Sequence, residues 1–179
     1  MEKGKKLSIE ELGRKSVSEF KKSEKLPVVI VLDSIRSLHN VGSVFRTADA
    51  FAVEKVILCG ITAKPPHREI QKTALGATES VEWEYSESCL EAMSKLKSNG
   101  YKAVGIEQVS GSKLLGSDKV GLEEKVVLIF GNELKGVDQD VLDICDEFWE
   151  IPQRGTKHSL NISVSVGVVL WELVRSSIQ

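Results

Sequence analysis

Apolar residues along this chain fall into short continuous runs separated by stretches with helical spacing. Six runs read as strands: Val28–Asp33, Lys55–Gly60, Val81–Tyr85, Tyr101–Glu107, Lys125–Gly131 and Phe148–Ile151. The continuous apolar run Val28–Asp33 is consistent with a strand buried on both faces. Between them, Asn40 can cap a helix whose Val41, Val44, Phe45 and Ala48 fall on one face. Pro65-Pro66 opens a loop or short helix ending near Gly76. Ser88 with Glu91 resembles a capping box ahead of Leu90, Met93 and Leu96, and Gly100 stops that helix. Asp138 starts a short helix, and Asn161–Arg175 is the last one. Alternating strands and helices predict an α/β fold, a mostly parallel sheet with helices on both faces. In such sheets ligands bind beyond the carboxyl ends of strands, so the polar and glycine-rich segments there are where chemistry is to be sought.

Composition sharpens this picture. The 179 residues make one domain of ordinary size. Residues 1–26 stand apart as a basic arm, with eight Lys/Arg against five Glu, and residues 27–179 form the domain proper. The arm is expected to be loosely helical or partly disordered from Ser8, an N-cap with Glu11 three residues on, to Lys22. A net charge of −2 excludes a uniformly basic nucleic-acid binder but allows a local basic patch. Cys59, Cys89 and Cys145 lie far apart, which fits reduced thiols in a cytoplasmic protein and gives neither a zinc motif nor a disulfide framework. The scattered His39, His67 and His158 suggest no metal site by spacing. No leader-like apolar region and no membrane-length apolar stretch is seen. The dinucleotide fingerprint, the P-loop and the nucleophile elbow are also missing.

Three constellations follow predicted strands. Ser37–Ala48 holds Asn40, Gly42 and Arg46; a helix start there can receive a phosphate, and Gly42 permits close backbone approach. Phe130–Val137 brackets Glu133 between Gly131 and Gly136 at a strand end, where backbone without side chains lets a flat ligand lie close. Ile151–Asn161 is a basic loop with Ser159 and Asn161 at a helix start. Each admits a plainer account when read alone. Asn40 and Asn161 could be helix caps, Arg46 half of a surface ion pair, and the second run a tight turn.

Taken in order, the three resemble the motifs of the SpoU (TrmH-type) family of the SPOUT methyltransferases. The first matches in Asn40, Gly42, Arg46, Thr47 and Ala48; the second in Gly131, Asn132, Glu133 and Gly136; the third in Ile151, Pro152, Ser159, Leu160 and Asn161. Thr73–Ala77 is similar too, and the likeness runs over roughly residues 27–175. The resemblance implies an α/β fold with a C-terminal deep trefoil knot, a rare exception to unknotted topology. It implies methyl transfer from S-adenosylmethionine to a ribose 2′-hydroxyl of RNA, and a homodimer. Arg46, Asn40, Glu133, Ser159 and Asn161 are then the catalytic candidates, and Gly131, Ile151, Leu160 and Glu107 the cofactor candidates.

RNA phosphates call for local positive charge. Arg68, Lys72, Arg154 and Lys157, with the basic arm and Lys64, are the candidates for that contact, whereas the acidic stretch 118–150 is expected to face away. In the last helix, Ile162, Val166, Val169 and Leu173 form one apolar stripe and Val164, Val168 and Trp171 another, as a helix buried by its own core and by a partner would have. Transfer RNA is the favoured substrate by analogy, with ribosomal RNA the alternative. A non-catalytic RNA binder, a base methyltransferase of another knotted family and a general nucleotide-binding enzyme are the rivals.

Overall fold

A computed structural model describes residues 4–175, apart from 9, 118, 119 and 121–123. The strands are β1 (Leu26–Asp33), β2 (Val53–Cys59), β3 (Glu82–Ser86), β4 (Lys102–Ile106), β5 (Lys113–Leu114), β6 (Val126–Phe130) and β7 (Glu147–Glu150). They form one sheet in the order β3-β2-β1-β6-β4-β7-β5, and every pairing of these strands is parallel. The six expected strands are all present. The seventh, β5, spans only two residues in a segment expected to be loop, too short to leave a hydrophobic pattern.

The helices are α1 (Val17–Lys22), α2 (Leu38–Ala50), α3 (Arg68–Ala74), α4 (Ala77–Ser80), α5 (Cys89–Ser98), α6 (Gln139–Leu142) and α7 (Ile162–Val174). Val28, Ile30 and Leu32 of β1 pack with α2, α3 and α7, while Val29 and Val31 pack with α5. Successive strand side chains point to opposite faces, so a strand covered on both sides must be apolar throughout. None of the described helices is long and apolar enough to cross a membrane.

Local chemistry corrects several expectations. Helix α2 is capped by Ser37, whose Oγ accepts the Asn40 N–H at 3.3 Å; Asn40 is inside the helix, and its side chain is free for another partner. In α5 the buried face is Cys89, Ala92, Met93 and Leu96, while Leu90, turned about 100° away from Cys89, is 38% exposed. Ser8 and Glu11 do exchange hydrogen bonds at 2.7 and 3.3 Å, but around a turn that ends at Gly13, with φ +56°. The N-terminal helix is the shorter α1, closed by a capping box between Ser16 and Glu19. Its Phe20 is 8% exposed and belongs to the main core.

Helix α7 agrees with the two-stripe reading. Ile162, Val166, Val169 and Leu173 are buried in the core. Val164, Val168 and Trp171 are 51%, 38% and 54% exposed on the outer face. The segments to which the resemblance assigns the knot, those holding Gly131 and Ile151–Asn161, lie together around one cavity.

Candidate active site

That cavity, of about 810 Å³, opens beyond the carboxyl ends of β4, β6 and β7, which contribute Ile106, Phe130 and Trp149. Its position is the one a parallel sheet provides for ligands, and its size is that of a small-molecule site. Three loops wall it: residues 107–109 after β4, 131–137 after β6, and 151–161 after β7. Asn40, in the first turn of α2, completes the wall.

The loop after β6 is folded on itself. Asn132 and Gly136 exchange two backbone hydrogen bonds of 2.9 Å, and Asn132 Oδ1 accepts the N–H groups of Leu134 and Lys135. A Cβ on Gly131 would stand 2.1 Å from the Gly136 carbonyl carbon. Gly136 has φ +71°, and a Cβ there would stand 2.3 Å from Glu107 Oε2. Both glycines are therefore required by the loop's own closure, not only by a flat ligand.

Glu133 is carried by this loop into the turn that follows β1. Its carboxylate accepts the backbone N–H of Arg36 at 3.0 Å and of Ser37 at 3.1 Å, and Asn40 Nδ2 at 3.4 Å. Ser34, in left-handed backbone at φ +57°, turns the chain toward that carboxylate, and Asn132 Nδ2 donates to the Ser34 carbonyl at 2.7 Å. Burial alone would raise the pKa of Glu133; the N–H donors outweigh it and hold the carboxyl below its usual range. Asn40 Oδ1 accepts Asn161 Nδ2 at 3.0 Å, while Asn161 Oδ1 caps α7 by accepting the Ser163 N–H at 2.9 Å. Asn161 is thus both the cap foreseen as the plain account and a member of the site. One hydrogen-bonded chain, Glu133–Asn40–Asn161, joins all three sequence constellations across 93 and 121 residues.

Among the catalytic candidates, Asn40, Glu133, Ser159 and Asn161 line the cavity, and so do the cofactor candidates Gly131, Ile151, Leu160 and Glu107. Arg46 does not; it is exposed on α2, with no hydrogen bond or ion pair to the described residues. Lys72 is engaged by Glu69 at 2.7 Å, and the same carboxylate meets His39 Nε2 at 3.0 Å. Arg68, Arg154 and Lys157 are exposed and have no ion pair among the described residues. Gly42 does permit close backbone approach, but by α3: a Cβ would stand 2.1 Å from Thr73 Oγ1 and 2.2 Å from the Ile70 carbonyl oxygen. Among the described residues no His, Cys, Asp and Glu cluster is placed to hold a metal ion.

Sequence reasoning did not single out Gln108 or the N–H groups of Arg36 and Ser37, and it named Thr73 only within the Thr73–Ala77 likeness, without a role. Asn132 stood inside the quoted Gly-Asn-Glu run without being given a role. The run itself was the available signal for Asn132; the others act through partners that local sequence does not reveal.

A parallel α/β sheet with a cavity at its strand ends, walled by these three linked motifs, has the architecture of a small-molecule-binding domain. The chain belongs to the SpoU rRNA methylase family, whose sequence model matches residues 27–171. It is 32% identical over 156 residues to the 23S rRNA (guanosine-2′-O-)-methyltransferase RlmB of Pseudomonas aeruginosa, covering 87% of this chain and 62% of that one. The chain therefore spans about three fifths of the length of the curated relatives it matches. Among solved structures it superposes on an A. aeolicus TrmH/SpoU tRNA modifying enzyme with a TM-score of 0.80, at 25% identity, over 90% of this chain and 81% of that one. It also superposes on an AdoMet-bound rRNA methyltransferase of Sinorhizobium meliloti with a TM-score of 0.77, at 25% identity, over 88% and 60%.

Proposed function

We propose that this chain transfers a methyl group from S-adenosylmethionine to a ribose 2′-hydroxyl of RNA, with tRNA as the substrate. The observation that carries the reading is the Glu133–Asn40–Asn161 chain at the cavity. It assembles side chains from three distant segments where nothing in the packing of the core demands them.

The cavity suits the cofactor chemically. Ile106, Phe130, Ile151 and Leu160 offer apolar walls to a flat ring, and Glu107, Glu133 and Glu150 outnumber the one lysine of the lining, Lys135, which favours a cationic ligand. Bound there, S-adenosylmethionine supplies a methyl group already activated on a sulfonium. The chain's task is then to align a hydroxyl with it, a contribution worth up to about 7–11 kcal/mol. Glu133 is ionised and its oxygens are engaged, so it orients Asn40 and the Arg36–Ser37 turn and is not the proton acceptor. Ser159 and Asn161 present hydrogen-bonding groups to the ribose and the cofactor. Arginine keeps its proton to a pKa of about 12 or more, so Arg46 serves by stabilising the developing alkoxide and holding a neighbouring phosphate, while the hydroxyl proton passes to solvent water and neutral S-adenosylhomocysteine leaves. Arg68, Arg154 and Lys157 supply the phosphate contacts, with Lys72 contributing once an RNA phosphate displaces Glu69 from it.

The active form is a homodimer. Ile162 and Ser165 of α7 line the cavity, and Val164, Val168 and Trp171 continue along the same helix as an exposed apolar stripe. A second copy seated on that stripe covers it and stands beside the cavity mouth. Helix α2, which carries Arg46, packs on α7 and so borders the same surface.

Support for tRNA is the likeness to the A. aeolicus tRNA modifying enzyme along 81% of its length. The second reading, ribosomal RNA, is favoured by the 32% identity to the 23S rRNA enzyme. The test is transfer from labelled S-adenosylmethionine to size-fractionated RNA from cells lacking this protein, followed by nucleoside mass spectrometry. A 2′-O-methylnucleoside in tRNA is expected. The same product in ribosomal RNA would keep the reaction and replace the substrate. A methylated base would refute the ribose assignment, and no transfer by a chain that binds both cofactor and RNA would identify a non-catalytic binder.

A further inference from the structure

Residues 152–160 form neither helix nor strand, yet they carry Ser159 and Leu160 into the cavity wall. Among the described residues, one hydrogen bond ties this stretch to the rest of the chain. Gln108 Nε2 donates to the His158 carbonyl at 2.7 Å, next to Ser159. Gln153 Nε2 reaches the same oxygen from within the loop, at 3.5 Å. Gln108 is itself fixed by its neighbour: Glu107 Oε1 accepts the Gln108 N–H at 2.9 Å, and Glu107 Oε2 accepts the Val137 N–H at 3.2 Å. Two consecutive residues at the end of β4 therefore grip both of the other loops of the cavity. Glu107 holds 131–137 and Gln108 holds 152–160.

We propose that Glu107 and Gln108 form a clasp that couples the two loops and sets how fast the cofactor enters and leaves. Gln108 is the releasable half. Its bond is a single neutral hydrogen bond at an exposed loop, whose loss costs little and frees a stretch with no other tether of that kind. Glu107 is the fixed half, because its charged carboxylate bonds two N–H groups and abuts Gly136, where no side chain fits. Opening at Gln108 frees the loop bearing Ser159 and Leu160 while the Gly131–Val137 wall stays in place. Gln108 is accordingly a positioning residue that acts on the cofactor through the loop.

The proposal rests on the cavity being the S-adenosylmethionine site, so its test separates the two claims. Gln108→Met keeps the side chain's length and removes the donor without adding a charge to the cavity wall. Limited trypsin digestion of the ligand-free chain reads the clasp directly: cleavage after Arg154 and Lys157, both exposed in the loop, is expected to be roughly three- to tenfold faster in the variant than in wild type. Stopped-flow displacement of bound S-adenosylhomocysteine is expected to show a dissociation rate raised by a similar factor, roughly three- to tenfold. The cofactor KM should rise while the RNA KM and the melting temperature stay in place. Unchanged cleavage after Arg154 and Lys157 together with an unchanged dissociation rate would overturn the clasp. If wild type binds neither S-adenosylmethionine nor S-adenosylhomocysteine, the functional reading fails, while the digestion still decides whether Gln108 holds the loop. Should Gln108→Met not fold, Gln108→Ala removes the same donor and is held to the same outcomes.

Discussion

Arg46 is the one proposed catalytic side chain that stands outside the cavity wall, exposed and without a hydrogen bond or ion pair to the described residues. An arginine with no structural partner has nothing to lose on truncation except its action on substrate. Arg46→Ala should therefore leave the melting temperature and cofactor affinity unchanged and lower turnover by about 100-fold or more, the usual cost of removing a group that stabilises transition-state charge. Single-turnover transfer to RNA, with cofactor affinity measured separately, checks it. Asp33 presents the opposite case, a buried carboxyl that the proposed chemistry does not use. Burial raises its pKa, as does the charge of Asp138, against weaker lowering by hydrogen bonds from Ser34 and Cys89. The folded state then binds the Asp33 proton more tightly than the unfolded state, whose pKa is about 3.9. The stability this provides is complete below that value and is lost as pH rises through the folded pKa. Asp33→Asn removes the titration, so its melting temperature relative to wild type should climb between pH 4 and pH 8, and a flat difference would refute the assignment. At this scale the sequence told residue types better than partners. Asn40 was legible as a short polar side chain at a helix start, but Ser37 is the cap, and the true partners of Asn40 lie 93 and 121 residues away.

Elements were legible where burial imposed a pattern and illegible where it did not. Strands β1 and β6 announced themselves as continuous apolar runs because both their faces are covered, and β3 by the alternation Val81-Glu82-Trp83-Glu84-Tyr85, whereas β5 is two residues long and left no trace. Ser8 offered the same capping signal as Ser16, yet only the second is followed by a helix with an apolar residue, Phe20, that reaches the core. Packing between elements explains Gly42 as well. Helices α2 and α3 approach so closely that a Cβ on Gly42 would meet both Thr73 Oγ1 and the Ile70 carbonyl. Gly42→Ala should cost about 1–3 kcal/mol, the range for forced overpacking, measurable by urea unfolding. Adding Thr73→Ala should recover only part of the loss, because the Ile70 carbonyl is backbone and remains. At the sheet edge, Glu147 joins Lys102 of β4 at 2.7 Å and Lys113 of β5 at 2.8 Å. Burial alone would raise its pKa, but these ammonium groups and the Trp149 indole N–H take it down to about 2. A depressed carboxyl adds stability above its unfolded pKa of about 4.3. That stability is lost as pH falls through about 2. Glu147→Gln should lower the melting temperature at pH 7 and lose less of it between pH 4 and pH 2 than wild type does.

For the whole molecule, the order of segments around the cavity had no counterpart in hydrophobic periodicity. Periodicity reports which face of an element is buried, not the strand order in which β6 lies between β1 and β4, nor the route by which 151–161 comes to lie beside 131–137. The resemblance carried that knowledge, and in the structure the two segments meet at the shared cavity. The apolar stripe of α7 was legible as a pattern and finds no cover within the described chain, since Val164, Val168 and Trp171 are 51%, 38% and 54% exposed. A half-exposed tryptophan in line with two valines costs solubility unless something covers it, and the proposed cover is a second copy. Trp171→Glu places a charge where the stripe would be desolvated, and each unpaired buried charge is strongly unfavourable. Because the same position is exposed in one chain, the variant should fold with a melting temperature close to wild type when compared at low protein concentration. It should run as a monomer by light scattering at concentrations where wild type is a dimer. Methyl transfer should fall with dimerisation and recover at higher protein concentration in the milder Val168→Ala, which weakens the stripe without charging it. A Trp171→Glu monomer with full turnover would show that the cavity works alone and confine the stripe to assembly. A Trp171→Glu chain that is still a dimer would move the interface off α7 altogether, and with it the argument that a second copy stands beside the cavity mouth.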